Sequence, residues 1–214
     1  MQRTRRTPRH RGRRAEVRAS RFTRVRAVLA GALVLGVGGT LTLAAWTDTE
    51  SVRGAFAASK FGIVGSSDGV TFTDHPASGP AALSFVVTPT ALSPGVTSYA
   101  KFVVKTTADT TVPGTLSLAG ATVTGTGLDT YLRYGVRTIP VASPCSETTF
   151  AAGSSVVAAA SLLTAAGAGS QALAAAGGAP VAYCFAVTLP AGTPNAAQGL
   201  TTTASWTFTA TSSS

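Results

Sequence analysis

From Val181 to Leu189 every second residue is large and apolar: Val181, Tyr183, Phe185, Val187 and Leu189. A side-chain period of two places all five on one face of an extended strand, and no helix gathers them on one side. The rhythm returns between Thr201 and Thr211, where Ala204, Trp206, Phe208 and Ala210 share a face and threonines fill the other. Two apolar-faced strands need an apolar layer opposite. The chain is therefore expected to be all-β, with a single antiparallel, jelly-roll-like β-sandwich following an N-terminal helix of different character.

Further extended segments agree with this reading. Tyr99, Lys101, Val103 and Lys105 alternate with Phe102 and Val104, and Tyr131, Arg133, Gly135 and Arg137 alternate with Leu132, Tyr134 and Val136. Gly114 to Ala119 alternates cleanly, Phe56 to Val64 weakly, and Ala82 to Val87 is a short apolar run that would cross a core. Turn signals such as Ser93-Pro94-Gly95, Val112-Pro113-Gly114 and Leu189-Pro190-Ala191-Gly192 punctuate them, as in sandwiches and barrels. Residues 151–180 form an Ala/Gly-rich excursion, expected to be a meandering β-edge or loop; a short helix over Ser155–Ala166 is the alternative.

The charge of the chain is segregated. The formal net charge is +9, yet 11 of the 17 basic residues are arginines within residues 1–26. From Ala45 onward six bases (Arg53, Lys60, Lys101, Lys105, Arg133, Arg137) face seven acids, so the body carries −1. A partner of nucleic-acid type is not expected. Residues 27–45 carry no charge. A basic stretch, an apolar stretch and small residues at Thr42-Leu43-Ala44 make a signal peptide, residues 1–44, with an Arg-rich n-region over 1–26, an apolar h-region over 27–44, and cleavage between Ala44 and Ala45. Two alternatives remain at this stage. As an uncleaved anchor, residues 27–45 would rise about 28 Å as a helix, roughly a hydrocarbon core, although Gly31, Gly36, Gly38 and Gly39 weaken it. The arginines could otherwise form a nucleic-acid-binding arm. On the signal reading, contact with the membrane is made only through the uncleaved leader.

The residues around the cut resemble the SipW-type signal peptide of the TasA/camelysin proteins. The motif reads Gly38-Gly39-Thr40, then Ala44-Ala45-Trp46-Thr47-Asp48-Thr49-Glu50, then Gly54-Ala55-Phe56. The resemblance returns at Asn195-Ala196-Ala197-Gln198-Gly199 ahead of Trp206-Thr207-Phe208. It implies processing by a SipW (ER-type) signal peptidase, a secreted or envelope-associated location of Gram-positive type, and a matrix-fibre or surface role. It also implies that residues Ala45 to about Phe61 act as a donor strand to a neighbouring copy, with Trp46 and Phe56 seating in its groove. Asn195, Gln198 and Gly199 are expected to form a structural corner whose side-chain amides satisfy the backbone before the last strand, which carries Trp206.

Cys145 and Cys184 are the only cysteines, and an even count in an exported chain predicts a bridge. Alternation puts Cys184 opposite the apolar series, so the bridge is expected at a sheet edge or loop, pinning the Ala/Gly-rich excursion.

Enzymatic parts are missing. The body has one histidine, His75, in Asp74-His75-Pro76, which reads as a surface turn. No His-Glu-x-x-His metal motif occurs. Asp48 and Glu50 read as a solvated segment rather than an acid–base pair, and Asp68 with Asp74 offers at most weak calcium ligation. The expectation is a non-enzymatic structural protein without cofactor or metal, self-associating into filaments. The alternative is a monomeric β-sandwich binding a glycan through Tyr99, Tyr131 and Tyr134.

Overall fold

The computed structural model describes residues 21–38, 47–83, 85 and 92–213. The cleavage pair Ala44 and Ala45, the motif residues Gly39, Thr40 and Trp46, and much of the Ala82–Val87 run lie outside the described residues. The chain divides into two units, Met1–Ala55 and Phe56–Ser214. In the first, helix α1 spans Arg21–Gly38 and so begins within the arginine-rich stretch. No helix among the described residues is long and apolar enough to cross a membrane. Residues 47–55 are exposed and have no regular structure, which includes Asp48, Glu50 and Gly54.

The second unit is built of antiparallel strands. One sheet has the order β1-β2-β8-β5-β6, with β1 at Ile63–Ser66, β2 at Thr97–Thr106, β5 at Arg133–Ile139, β6 at Ser154–Ser161 and β8 at Val181–Thr188. Facing it are β10-β3-β7 (Phe208–Ser212, Gly114–Leu118, Gln171–Leu173) and the pair β4-β9 (Thr122–Gly125, Thr202–Ser205). The expected alternation fixes the inner face: Phe102, Val104, Leu132, Tyr134, Tyr183 and Phe185 are buried against Leu116, Leu118 and Leu173. The threonine side of β3 and β10, including Thr115, Thr209 and Thr211, is exposed.

The two smaller sheets form a single bent ribbon. Phe208 pairs with Leu118, whereas Ser205 pairs with Thr122. Three residues, 119–121, thus stand opposite two, Trp206 and Thr207, which is the arithmetic of a β-bulge. At the bulge the amide of Ala119 donates to Thr207, and that of Ala121 turns away to the carbonyl of Leu163. Only glycine fits between them, because a Cβ on Gly120 would fall on the Thr164 carbonyl. The expected strand Thr201–Thr211 is therefore broken, although Ala204, Trp206, Phe208 and Ala210 all still face the core.

The Ala/Gly-rich excursion is a β-edge, with no helix over Ser155–Ala166. A short helix α2, Glu147–Ala152, precedes it and is capped by Ser146. β6 then forms one edge of the larger sheet, and residues 163–168 lace that edge to the opposite layer. The amide of Gly167 donates to Leu118, and that of Ala168 to Val156. Small side chains permit this approach: a Cβ on Gly167 would press on Val156 and Leu118.

Two expectations are corrected here. Residues 56–62 form no strand; pairing begins at Ile63, because Lys60 and Gly62 bond instead to Thr107, Thr110 and Thr111 in the loop after β2. The disulfide Cys145–Cys184 forms, with Cys145 in the loop ahead of α2 as expected, but Cys184 lies away from any sheet edge. β8 is the central strand, and the outer face around Cys184 is covered by its own apolar cluster: Val103, Ile139 and Ala182, with Phe72, Tyr99 and Phe150 packed on them.

Candidate functional site

A cleft of about 720 Å³ opens on the flank of the second unit opposite the laced one. Its floor is Phe102 and Phe185 from the larger sheet, one wall is Trp206 and Phe208, and the other is Ile63 with Leu83. The aromatic side chains form a connected series. Phe102 stacks on Phe208 at 5.5 Å between centroids, Phe208 meets Tyr183 at 4.8 Å, Phe185 meets Trp206 at 5.1 Å, and Trp206 meets Tyr134 at 5.6 Å. Such offset pairs add to the area that each ring buries. Alternation on β2 and β8 aims the floor residues inward, and Trp206 shares the core-facing side of its strand with Ala204 and Phe208.

β1 crosses the mouth of the cleft on glycine. A Cβ on Gly65 would enter the Phe102 ring, so only this residue lets the strand lie so close. The outer edge of β1 is already occupied, since Gly65 and Thr73 exchange two backbone hydrogen bonds of 3.0 Å. That clip brings His75 to the cleft. Its Nε2 lies 3.0 Å from the Thr73 hydroxyl, and its ring stands edge-on to Phe102 at 6.2 Å. Nδ1 is buried and has no hydrogen-bond partner. The surface turn expected at Asp74-His75-Pro76 is therefore half-buried at its histidine, because the neighbouring residue is bridged to a strand. Asp74 also lines the cleft and is exposed.

The other residues singled out from the sequence lie apart from the cleft. Asp68 is taken up by its own turn: the Ser66 hydroxyl donates at 2.6 Å and the amides of Val70 and Thr71 at 2.8 Å. These donors, the Ser66 hydroxyl first, hold its carboxyl well below the usual range. Asp109 is lowered chiefly by the Thr107 hydroxyl. No group of three or more His, Cys, Asp or Glu positioned for a metal occurs among the described residues.

The tyrosines named for a glycan are engaged. Tyr134 is 1% exposed, its hydroxyl donates to the Ala165 carbonyl, and burial raises its pKa. The Trp206 indole nitrogen is buried without a hydrogen-bond partner. Tyr99 packs on Phe150 at 6.0 Å, and Tyr131 packs against the main core.

The corner at Asn195–Gly199 is a turn, but not one held by side-chain amides. Asn195–Ala197 form a 3₁₀ turn, closed by the amide of Gln198 on Asn195 and that of Leu200 on Ala197. Asn195 and Gln198 are exposed. Gly199, at φ 74°, supplies the left-handed step that brings Thr201 beside Thr126. Of the motif residues before the fold, Phe56 is 98% exposed.

No protein-family model matches the chain, and no curated protein matches it.

Proposed function

We propose that the protein is an exported, non-enzymatic structural or surface protein. Its leader is removed at Ala44–Ala45 by a SipW-type signal peptidase, and its mature N-terminal segment is donated to a neighbouring copy in a filament. The observation that carries this reading is the exposure of the donor segment. Phe56 is 98% exposed and Val52 99%, in a stretch without regular structure ahead of β1. Large apolar side chains left fully in water favour association. An acceptor is at hand, since β10 pairs with β3 alone among the described strands and so offers one open edge. The disulfide supports an oxidising, non-cytoplasmic location.

Electron microscopy of the concentrated mature protein, residues 45–214, tests the assembly, with a version lacking residues 45–54 as its partner. Filaments from the first and folded protein without filaments from the second are the expected outcome. Filaments that persist after the deletion refute donation.

A further inference from the structure

We propose that the outer edge of β9 and β10 pairs with the same edge of a second copy, antiparallel and about a two-fold axis at Thr207. Among the described residues, β9 has only β4 as a strand neighbour and β10 only β3. The amide of Thr126 donates to the Thr201 carbonyl, that of Ala119 to the Thr207 carbonyl, and that of Ser213 to the Pro113 carbonyl. Hydrogen-bonded positions recur at every second residue of an antiparallel pair. Thr201, Thr203, Ser205, Thr207, Thr209 and Thr211 therefore turn their backbone groups toward β4 and β3. Thr202, Ala204, Trp206, Phe208, Ala210 and Ser212 turn theirs outward. This phase runs unbroken through Trp206–Thr207, because the extra residue of the bulge lies on the partner side, at 119–121.

Nothing guards this edge. Residues 201–213 contain neither a charge nor a proline, the usual devices against edge-to-edge contact. β1 offers the contrast within the same molecule, since Thr73 clips its outer side at Gly65.

The side chains of the edge select a second copy as its occupant. Two antiparallel copies engage every outward residue only when Thr207 faces its own mate. On the threonine face that register sets Thr203 against Thr211 and Ser205 against Thr209. On the inner face it sets Ala204 against Ala210 and Trp206 against Phe208, so small meets small and aromatic meets aromatic. Cross-strand pairs of Thr with Thr or Ser, and of ring with ring, stabilise a sheet, and no like charges oppose each other here. A two-residue slip would set Trp206 against Ala210, or Phe208 against Ala204. Because Trp206 and Phe208 also form a wall of the cleft, the pair lays the second copy's rings beside that wall.

Such a contact is isologous and closes on itself. The pairing is independent of strand donation. Its consequence rests on that reading: a donor strand needs the same edge, so the closed pair keeps copies out of the filament until it opens.

Cys145 and Cys184 are bridged, so one introduced cysteine is the sole thiol. In the full-length chain, Thr207→Cys should give a covalent dimer under mild oxidation. Thr115→Cys, also exposed but one strand further in, should give little. Sedimentation of residues 45–214 below the onset of filaments should show a dimer, and so should the version lacking residues 45–54. Ala210→Pro removes an outward N–H and leaves the bonds of Thr209 and Thr211 to β3 in place; it should weaken the dimer roughly ten-fold or more. If Ala210→Pro does not fold, Thr207→Lys at its exposed site provides the second variant: two lysines meet at the axis, and the dimer should be lost at low salt. Thr207→Lys should also shorten the lag before filaments. Monomers at every concentration, equal cross-linking of the two cysteine variants, or dimers that survive both Ala210→Pro and Thr207→Lys overturn the pairing. So do monomers from the version lacking residues 45–54, which would assign all association to the donor segment. An unchanged lag overturns the competition, and dimers that never form filaments uphold the pairing while counting against donation alone.

Discussion

Lys101 and Arg137 flank Cys184 at one level of the larger sheet, Lys101 on β2 and Arg137 on β5, each paired in register with the cysteine. Both cations are used on the segment that crosses above the bridge. The Lys101 ammonium donates to the carbonyls of Val141 and Ser143, and the Arg137 guanidinium to those of Ala151 and Gly153. The Arg137 guanidinium also lies over the Phe150 ring at 5.2 Å. Two charges and one covalent bond thus hold residues 141–153 against the sheet.

Replacing Cys145 and Cys184 together by alanine should therefore cost about 4 kcal/mol, the value expected for a closed loop of this length. The check is the urea midpoint of the oxidised protein against that of the double variant. A loss below about 1 kcal/mol would mean that the overlying segment is held without the bridge.

Lys101→Met keeps the stem and removes the donor. Water can reach the two carbonyls that lose their partner, so the loss should be about 0.5–1.5 kcal/mol. Hydrogen exchange should show the loss as faster exchange confined to residues 141–153, with the inner face of the sheet unaffected.

Gly120→Ala places a methyl group on the Thr164 carbonyl at the bulge. Overpacking of this kind costs about 1–3 kcal/mol, and thermal unfolding should report it. Gly79→Ala meets nothing within 4 Å and serves as the neutral comparison.

Asp68 sets an acid limb. Its folded pKa lies below the unfolded value of about 3.9, so its contribution is complete above that value and disappears as pH falls through the folded one. Stability should decline from about pH 4 downward, and Asp68→Asn should flatten the decline. Urea midpoints at pH 6 and pH 2.5 measure both.

Phe185 and Phe56 make a contrast in burial. Phe185→Ala, at 1% exposure, should cost about 3–5 kcal/mol. Phe56→Ala should leave the folded unit within about 0.5 kcal/mol of the parent while reducing filament yield. Calorimetry and microscopy on the same samples separate the two effects.

The inner face was readable because its strands alternate strictly. Phe102, Tyr183, Phe185 and Phe208 announce their side by spacing alone. The same spacing misplaced the bridge. A residue opposite the apolar series reads as solvent-facing, yet this sheet is covered on both faces around Cys184. The signal was present in Val103, an apolar residue between Lys101 and Lys105, and in the small Ala182 and Ala186 beside the cysteine. The break at Trp206–Thr207 leaves no trace in periodicity, because the bulge adds its extra residue to the partner strand at 119–121. The Ala/Gly-rich excursion was readable as an edge but not as a lace, since its role depends on Leu118 and Val156 standing close in space. The cleft was hidden for a similar reason: its walls come from stretches far apart along the chain, and His75 joins them only through the Gly65–Thr73 bridge.

The position of β8 has a consequence for how the molecule is made. The strand at the centre of the larger sheet is among the last to leave the ribosome or a translocation channel, and both of its neighbours precede it. Until about residue 188 has emerged, β1 and β2 have no connection to β5 and β6, and Cys145 waits unpaired for Cys184. Acquisition of the native state is thus post-emergence rather than progressive, and a chain truncated before Val181 would give separate hairpins instead of a smaller version of the domain.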